Sequence, residues 1–148
     1  MNTKPTELEH YACVCEQKVV WGEMDALGHL NNVVYYRYAE TARIHYLENL
    51  GMFDEQSFLV LAQASCRYIL PVVYPDTLQI GVRTKKLGKT SIVFDYLFYS
   101  ESQQQTVATG EGVVVNLDHK TNKSKPWSAQ QRKDVLALEQ SVDYMPEH

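Results

Sequence analysis

The sequence predicts an α+β domain in which one long helix packs against one antiparallel sheet. A stretch near the N-terminus carries apolar residues at helical spacing, whereas four later stretches alternate between apolar and polar residues. Such a helix and sheet each have an apolar side, and they can bury those sides against each other. At 148 residues, we expect a single domain spanning 1–148, with loose tails at 1–9 and 140–148.

Composition and charge exclude several classes of protein. The formal net charge is -4, so nucleic acid is not an expected partner. The three cysteines are odd in number and lack metal-binding spacing, which indicates free thiols in a reducing compartment. The sequence shows neither a signal-peptide pattern nor a run of 18 apolar residues, so we expect a cytoplasmic protein without a membrane span.

The first strand is predicted over Tyr11 to Trp21, and a loop follows from Gly22 to Leu30. A helix is then predicted from about Asn32 to Glu48, with Asn31 or Asn32 as its N-cap and Gly51 just beyond its C-terminus. The apolar positions of this helix are Tyr35, Tyr38, Ala39, Ala42, Tyr46 and Leu50.

Four further strands are predicted one after another. They cover Leu59 to Leu70, Thr77 to Lys86, Thr90 to Ser100, and Thr106 to Leu117. Consecutive strands with short links tend to be antiparallel neighbours, which favours a meander. Ser128 is a candidate cap for a short helix that ends at about Glu139.

Common catalytic signatures are absent from this sequence. It contains no phosphate-binding glycine loop, no GxSxG nucleophile motif and no HExxH zinc motif, and its five histidines are scattered. We therefore expect no metal and no separate cofactor, and the remaining candidate for chemistry is the carboxylate loop ahead of the long helix.

Asp25 lies in that loop, a few residues before the first helical turn. A carboxylate at a helix N-terminus is stabilised by free N–H groups, which can also bind a developing oxyanion. Thioester hydrolysis suits this pair because its thiolate leaving group, with a conjugate-acid pKa of about 8.5, needs little help from a general acid. On spacing alone, an ordinary turn or capping role for Asp25 remains open.

The run MDALGHLNNVVYYRYAETAR resembles the motif of the 4-hydroxybenzoyl-CoA thioesterase-like branch of the hotdog-fold acyl-CoA thioesterases. The later runs CRYILPVVYPDTLQI and KKLGKTSIVF also resemble strands of that family, so the resemblance covers about residues 13–127. The residues that match the first motif are Asp25, Gly28, His29, Asn31, Asn32, Tyr35, Glu40 and Arg43.

The resemblance implies a hotdog fold, in which a curled antiparallel sheet wraps a long central helix. It implies that the protein hydrolyses an acyl-CoA, with Asp25 as nucleophile or general base and a backbone N–H near Asn32 as oxyanion donor. Coenzyme A would be part of the substrate, and the protein would form a homodimer or homotetramer with interfacial sites. A non-catalytic acyl-binding hotdog protein and an acyl carrier protein thioesterase remain as alternatives, and the sequence leaves the acyl group open.

Further residues have both a functional and a purely structural interpretation. His29 would orient Asp25 or contact substrate, or it is an ordinary loop histidine. Glu40 would bind substrate, or it pairs with Arg43 one turn later. The other candidates for substrate binding are Asn31, Tyr35, Thr90, Ser91, Arg83, Lys85 and Lys89; the basic ones would attract coenzyme A phosphates or simply cover an exposed strand.

Overall fold

The computed structural model describes residues 4–53 and 58–148. Its elements in chain order are β1 (Cys13–Lys18), α1 (Val34–Asn49), β2 (Leu59–Tyr68), β3 (Thr77–Leu87), β4 (Ser91–Ser100), β5 (Gln105–Asn116) and α2 (Ala129–Gln140). Two short 3-10 turns, Thr6–Leu8 and Trp21–Glu23, precede α1.

The five strands form one antiparallel sheet in the order β1-β3-β4-β5-β2. The predicted α+β hotdog class is confirmed, because this sheet wraps the long helix α1. The expected run of consecutive neighbours holds only for β3, β4 and β5. Since β1 occupies the free edge of β3, β2 instead pairs with β5 at the opposite edge.

Helix α1 lies along β4 on the inner face of the sheet. Tyr35 meets Phe98 edge-on at 5.4 Å between ring centroids, and Tyr46 meets Phe94 at 5.2 Å. The start of α1 therefore lies over the end of β4. The predicted apolar face is buried except at Leu50, which follows the helix and is half-buried, and Leu47 is buried in addition. The buried residues of α1 are Tyr35, Tyr38, Ala39, Ala42, Tyr46 and Leu47.

The helix begins two residues later than predicted. Val33 occupies the N-cap position and makes no side-chain capping bond. Instead, the Asn31 side chain accepts a hydrogen bond from the Val33 N–H at 3.2 Å, and the Asn31 carbonyl accepts one from Val34 at 2.9 Å. The turn that Asn31 forms therefore delays the first helical residue. At the other end, Gly51 has a φ of 64°, as expected of a helix-terminating glycine.

Both ends of the chain differ from the loose tails that we expected. Leu8 is fully buried on the outer face of the sheet. The guanidinium of Arg83 lies between the rings of Tyr11 and Tyr144, 4.1 Å from each centroid. The backbone of Glu147 pairs with β3. Apolar burial and these contacts hold the described part of both tails against the sheet.

A β-bulge changes which side chains of β2 face the helix. The register between β2 and β5 shifts between Leu61 and Gln63, so one extra residue enters β2. We expected one face to carry Val60, Ala62, Ala64, Cys66, Tyr68 and Leu70. The cross-strand partners keep Ala64, Cys66 and Tyr68 on that face but put Leu61 there in place of Val60 and Ala62.

The predicted C-terminal helix is present as α2. Ser128 caps it through a reciprocal pair of bonds with Gln131, as expected for a capping box. No helix within the described ranges is long and apolar enough to cross a bilayer.

Candidate active site

The loop that carries Asp25 is closed on itself and anchored on both sides. Met24 and Leu30 form an isolated antiparallel bridge, and the Asp25 N–H donates to the His29 carbonyl at 2.7 Å. The Asn31 N–H donates to the Glu23 carbonyl at 3.0 Å. These bonds fix the direction in which the loop enters α1.

Asp25 uses one carboxylate oxygen to hold this loop. Its Oδ1 accepts hydrogen bonds from the backbone N–H groups of Leu27, at 2.9 Å, and His29, at 3.1 Å. Gly28 allows the turn because its φ is 81°, in the left-handed region. Among the described residues, Oδ2 of Asp25 has no hydrogen-bond or ion-pair partner. Asp25 is therefore a turn residue that retains one free oxygen.

A cavity of about 280 Å³ brings the carboxylate loop together with the start of the helix. Asp25, His29, Asn32, Tyr35 and Tyr68 contribute to its lining. The Asn32 N–H donates no hydrogen bond within residues 4–53 and 58–148. The carbonyl of Asn32 accepts a bond from the Tyr68 hydroxyl at 2.8 Å, which fixes the peptide that follows. One cavity is thus lined by a residue with a free carboxylate oxygen, Asp25, and by a residue with a free backbone N–H, Asn32.

Tyr35 lies in the wall between this cavity and a groove. The groove has a volume of about 360 Å³ and runs between α1 and the inner side of β2 and β5. Burial raises the pKa of Tyr35 to about 12, with smaller contributions from Cys66 and Asp76, so its hydroxyl stays neutral near pH 7. Among the groove residues are Glu40, Arg43, Leu61, Ala64, Tyr96 and Gly112.

Sequence reasoning missed three residues that position the loop and the helix start. The Tyr38 hydroxyl donates to Oε1 of Glu23 at 2.6 Å and so ties the loop to α1. Burial raises the pKa of Tyr38, and the bond to Glu23 adds to this effect. Helical spacing marked Tyr38, and strand alternation marked Tyr68, only as packing residues. No pattern marked Glu23, and neither contact was foreseen, because each joins segments that are distant in sequence.

The structure does not bring every predicted substrate-binding residue to this cavity within one chain. Ser91 begins β4, and Phe98, which packs on Tyr35, lies seven positions further on, or about 23 Å away along the strand. Thr90 directly precedes Ser91. The Ser91 carbonyl accepts a bond from the indole N–H of Trp127 at 3.1 Å.

The basic candidates lie on other surfaces of the same chain. Arg83 pairs with Asp95 at 3.0 Å, and Lys85 pairs with Glu111 at 2.6 Å, both on the outer face of the sheet. Lys89 is exposed in the turn between β3 and β4.

Glu40 and Arg43 both line the groove, but they do not pair with each other. Glu40 is exposed, and no ion pair joins it to Arg43 in the described part of the chain. Arg43 instead donates to the Tyr96 hydroxyl at 3.1 Å. The described residues also contain no group of three or more His, Cys, Asp or Glu side chains that could hold a metal ion.

The fold and this cavity agree with what comparison with known proteins shows. The sequence profile of the thioesterase-like superfamily matches residues 19–137. The chain belongs to the thioesterase-like superfamily. The predicted family is confirmed, and as a member of this superfamily the protein is a thioester hydrolase.

Relatives of this thioesterase-like protein cover most of its length. The uncharacterized protein YsmA of Bacillus subtilis is 31% identical over 80% of this chain and 81% of its own. The PA5185 protein of Pseudomonas aeruginosa is 28% identical, with a TM-score of 0.79, over 88% of this chain and 94% of that one. A Thermus thermophilus thioesterase, solved with coenzyme A and Zn, is 29% identical, with a TM-score of 0.78, over 89% and 97%.

Proposed function

We propose that this protein hydrolyses an acyl-CoA thioester to a free acid and coenzyme A. The observation that carries the proposal is one cavity lined both by Asp25, which keeps a free carboxylate oxygen, and by Asn32, whose backbone N–H makes no hydrogen bond in the described part of the chain. The adjoining groove along α1 would take the acyl chain. No metal or separate cofactor takes part in the proposed reaction.

In this mechanism the thioester carbonyl oxygen accepts a hydrogen bond from the Asn32 N–H, which stabilises the oxyanion as it forms. Oδ2 of Asp25 either takes a proton from an attacking water or adds to the carbonyl carbon itself, forming an anhydride that water then cleaves. In both versions the carbon–sulfur bond breaks and coenzyme A leaves as a thiolate. His29 lines the same cavity, and in this mechanism it would contact the substrate.

Two relatives support different carriers for the acyl group. The Thermus thermophilus thioesterase was solved with coenzyme A, which favours coenzyme A here. The Arabidopsis thaliana acyl-acyl carrier protein thioesterase ATL3 is 26% identical over 71% of this chain, which spans only 58% of ATL3. An acyl carrier protein substrate is therefore the second candidate function, and thiol release from matched thioesters of both carriers decides between them. Binding of both without release would instead support a non-catalytic acyl-binding protein.

We also propose that the protein assembles as a homodimer or homotetramer in the cytoplasm. The outer edge of β2 pairs with no strand in the described part of the chain, and Leu61, Val33 and Tyr36 near it are exposed apolar residues. A second copy that adds its own β2 would cover this surface. Thr90, Ser91 and Lys89 would then approach the substrate across the interface, whereas Arg83 and Lys85 have partners on the outer face of their own chain.

Asp25→Asn tests the catalytic assignment. An asparagine keeps the oxygen that accepts the two loop N–H bonds but cannot act as a base or nucleophile. We expect turnover of acyl-CoA substrates to fall by at least ~10²-fold, the usual loss for one transition-state group, with thermal stability nearly unchanged.

Asp118→Asn is the matched control, because Asp118 also accepts two backbone N–H bonds, from Lys120 at 2.8 Å and Thr121 at 3.0 Å. It lies in the turn after β5, so it should leave turnover unchanged. Near wild-type rates for Asp25→Asn on every thioester in an acyl-CoA panel would rule out Asp25 as the catalytic group.

A further inference from the structure

The groove beside α1 contains an arginine that no carboxylate neutralises. Arg43 donates from Nη1 to the Tyr96 hydroxyl at 3.1 Å, and no carboxylate oxygen of the described residues lies within 4.0 Å of its guanidinium. Two carboxylates, Glu40 and Glu111, also line this groove, but Glu40 is exposed and Glu111 is bound to Lys85. Four of the five guanidinium N–H donors thus have no partner among these residues.

Tyr96 is the buried side chain that holds this arginine in position. Its side chain is almost fully buried, with 2% exposed, and burial raises the pKa of its hydroxyl. The hydroxyl accepts from Arg43 and keeps its own proton as an unused donor. Gly112 makes room for it, because a Cβ added at Gly112 would lie 2.9 Å from the Tyr96 oxygen. This part of the groove therefore presents hydrogen-bond donors and positive charge.

The separation between the Asp25 cavity and Arg43 matches the length of an acyl chain of medium length. Tyr35, which borders both the cavity and the groove, lies eight positions before Arg43, or about 12 Å along the helix axis. Ala39, Leu61 and Phe98 supply apolar surface along the groove. A chain whose thioester lies beside Asp25 would therefore extend along α1 towards Arg43.

We propose that the groove selects acyl chains that end in a carboxylate, which Arg43 binds with the help of Tyr96. A guanidinium is a planar fork of donors that matches a carboxylate, and an unpaired one attracts an anion more strongly than a neutral oxygen. This inference rests on the proposed function and names the class of its substrate: the monothioesters of coenzyme A with dicarboxylic acids of medium length.

The test compares acyl-CoA substrates that are matched in length. Octanoyl- and decanoyl-CoA would be assayed against suberoyl- and sebacoyl-CoA, which carry a terminal carboxylate on chains of the same carbon number. We expect kcat/KM for the better carboxylated substrate to exceed that of its plain partner by about ten- to a hundredfold, the range of a charge-assisted hydrogen bond. A preference for the plain chains, or for a neutral terminal oxygen such as a hydroxyl, would overturn the proposal.

Three variants and one control test whether the preference for carboxylated chains depends on Arg43. Arg43→Met removes the charge but keeps an apolar stem, and it should bring the kcat/KM ratio close to one while octanoyl-CoA is still hydrolysed. Tyr96→Phe and Gly112→Ala should reduce the ratio in part, because each disturbs the support of Arg43. Arg67→Met, on the exposed face of β2, removes the same charge and should leave the ratio unchanged. An equal loss in Arg67→Met and Arg43→Met would show a general effect of charge and refute a local site.

The failure of the proposed function can be distinguished from the failure of this inference. If no acyl-CoA releases thiol, the protein is not an acyl-CoA thioesterase, but calorimetric titration with suberoyl-CoA and octanoyl-CoA still measures the preference in binding. Tighter binding of suberoyl-CoA that disappears in Arg43→Met would support the site. Equal affinity for the two ligands would exclude it.

Discussion

At the scale of single residues, the two carboxylate oxygens of Asp25 have different roles in the active-site loop. One oxygen holds the turn through the N–H groups of Leu27 and His29, and the other remains free. The sequence alone left a turn role and a catalytic role as competing interpretations. The structure shows that the turn role does not use the whole carboxylate, so the catalytic role stays available to the same side chain.

Gly28→Ala tests how far this loop depends on its left-handed glycine. An added methyl group meets no atom within 4 Å, but the φ of 81° is unfavourable for any residue with a Cβ. We expect the free energy of unfolding to fall by about 1–2 kcal/mol, the cost of a left-handed residue, with a loss of thioesterase activity. Chemical denaturation and an acyl-CoA assay measure the two effects.

Gly22→Ala is the matched control, since Gly22 flanks the same loop, is equally open and has no positive φ. Its stability should remain within about 0.5 kcal/mol of the wild type. Equal destabilisation by both substitutions would mean that the conformation of Gly28 is not the cause.

The residues of the motif could be predicted, whereas their supporting contacts could not. Gly28 and His29 follow Asp25 within a few positions, so local spacing brought them to attention. Glu23 and Tyr68 were missed because their partners lie on α1 and at its start, and the fold alone brings these segments together.

At the scale of elements, α2 is joined to the core by a buried carboxylate. Oε2 of Glu139 accepts hydrogen bonds from the Tyr46 hydroxyl at 2.7 Å and the Thr84 N–H at 2.6 Å. Its other oxygen is buried without a partner in the described part of the chain. The sequence predicted the helix and its Ser128 cap. It did not predict the burial of Glu139, because a single charged residue near a helix end usually faces solvent.

This carboxylate should make stability depend on pH. Burial raises the pKa of Glu139 above its ordinary value near 4.5, although the bonds from Thr84 and Tyr46 act against the rise. The folded protein therefore keeps this proton to a higher pH than the unfolded chain. Its contribution to stability is fully present below pH 4.5 and is lost as the pH rises through the raised value.

We expect Glu139→Gln to reduce this decline, because a glutamine retains an accepting oxygen for Tyr46 and Thr84 but does not ionise. Urea unfolding at several pH values above 4.5 would measure it. Glu48→Gln, on the exposed side of α1, serves as the control and should keep the wild-type slope. If Glu139→Gln follows the same slope as Glu48→Gln, the buried carboxylate does not control the pH dependence.

At the scale of the whole molecule, the order of the strands decides where the groove lies. Alternation predicted the strands within a few residues, since it depends only on local sequence. The position of β2 beside β5 was not predictable from chain order, because it depends on which sheet edge β1 leaves free. The bulge near Ala62 was hidden for the same reason: it is a property of the pair of strands.

The unpaired edge of β2 predicts that copies of the chain assemble through this strand. Ala62 is exposed on this strand and has no paired residue on β5, so Ala62→Glu places a charge on the edge without disturbing a cross-strand pair. We expect light scattering to show a dimer or tetramer for the wild type and a shift towards monomer for the variant, because a charge on the strand edge opposes pairing with a second copy.

Ala137→Glu, on the exposed side of α2, is the control and should assemble as the wild type does. A wild-type protein that remains monomeric at high concentration would contradict the proposed interface. A dimer that Ala62→Glu leaves intact would mean that the copies meet through another surface.

The stacking of Arg83 between Tyr11 and Tyr144 has a consequence for protein engineering. Both rings contact one guanidinium, so the segments that lead to the described ends of the chain lie close together on the outer face, away from the groove. A short flexible linker could therefore join the termini, and new ends could be opened in the turn between β4 and β5. A circular permutant of this kind would keep the active-site loop, α1 and β2 in one uninterrupted segment.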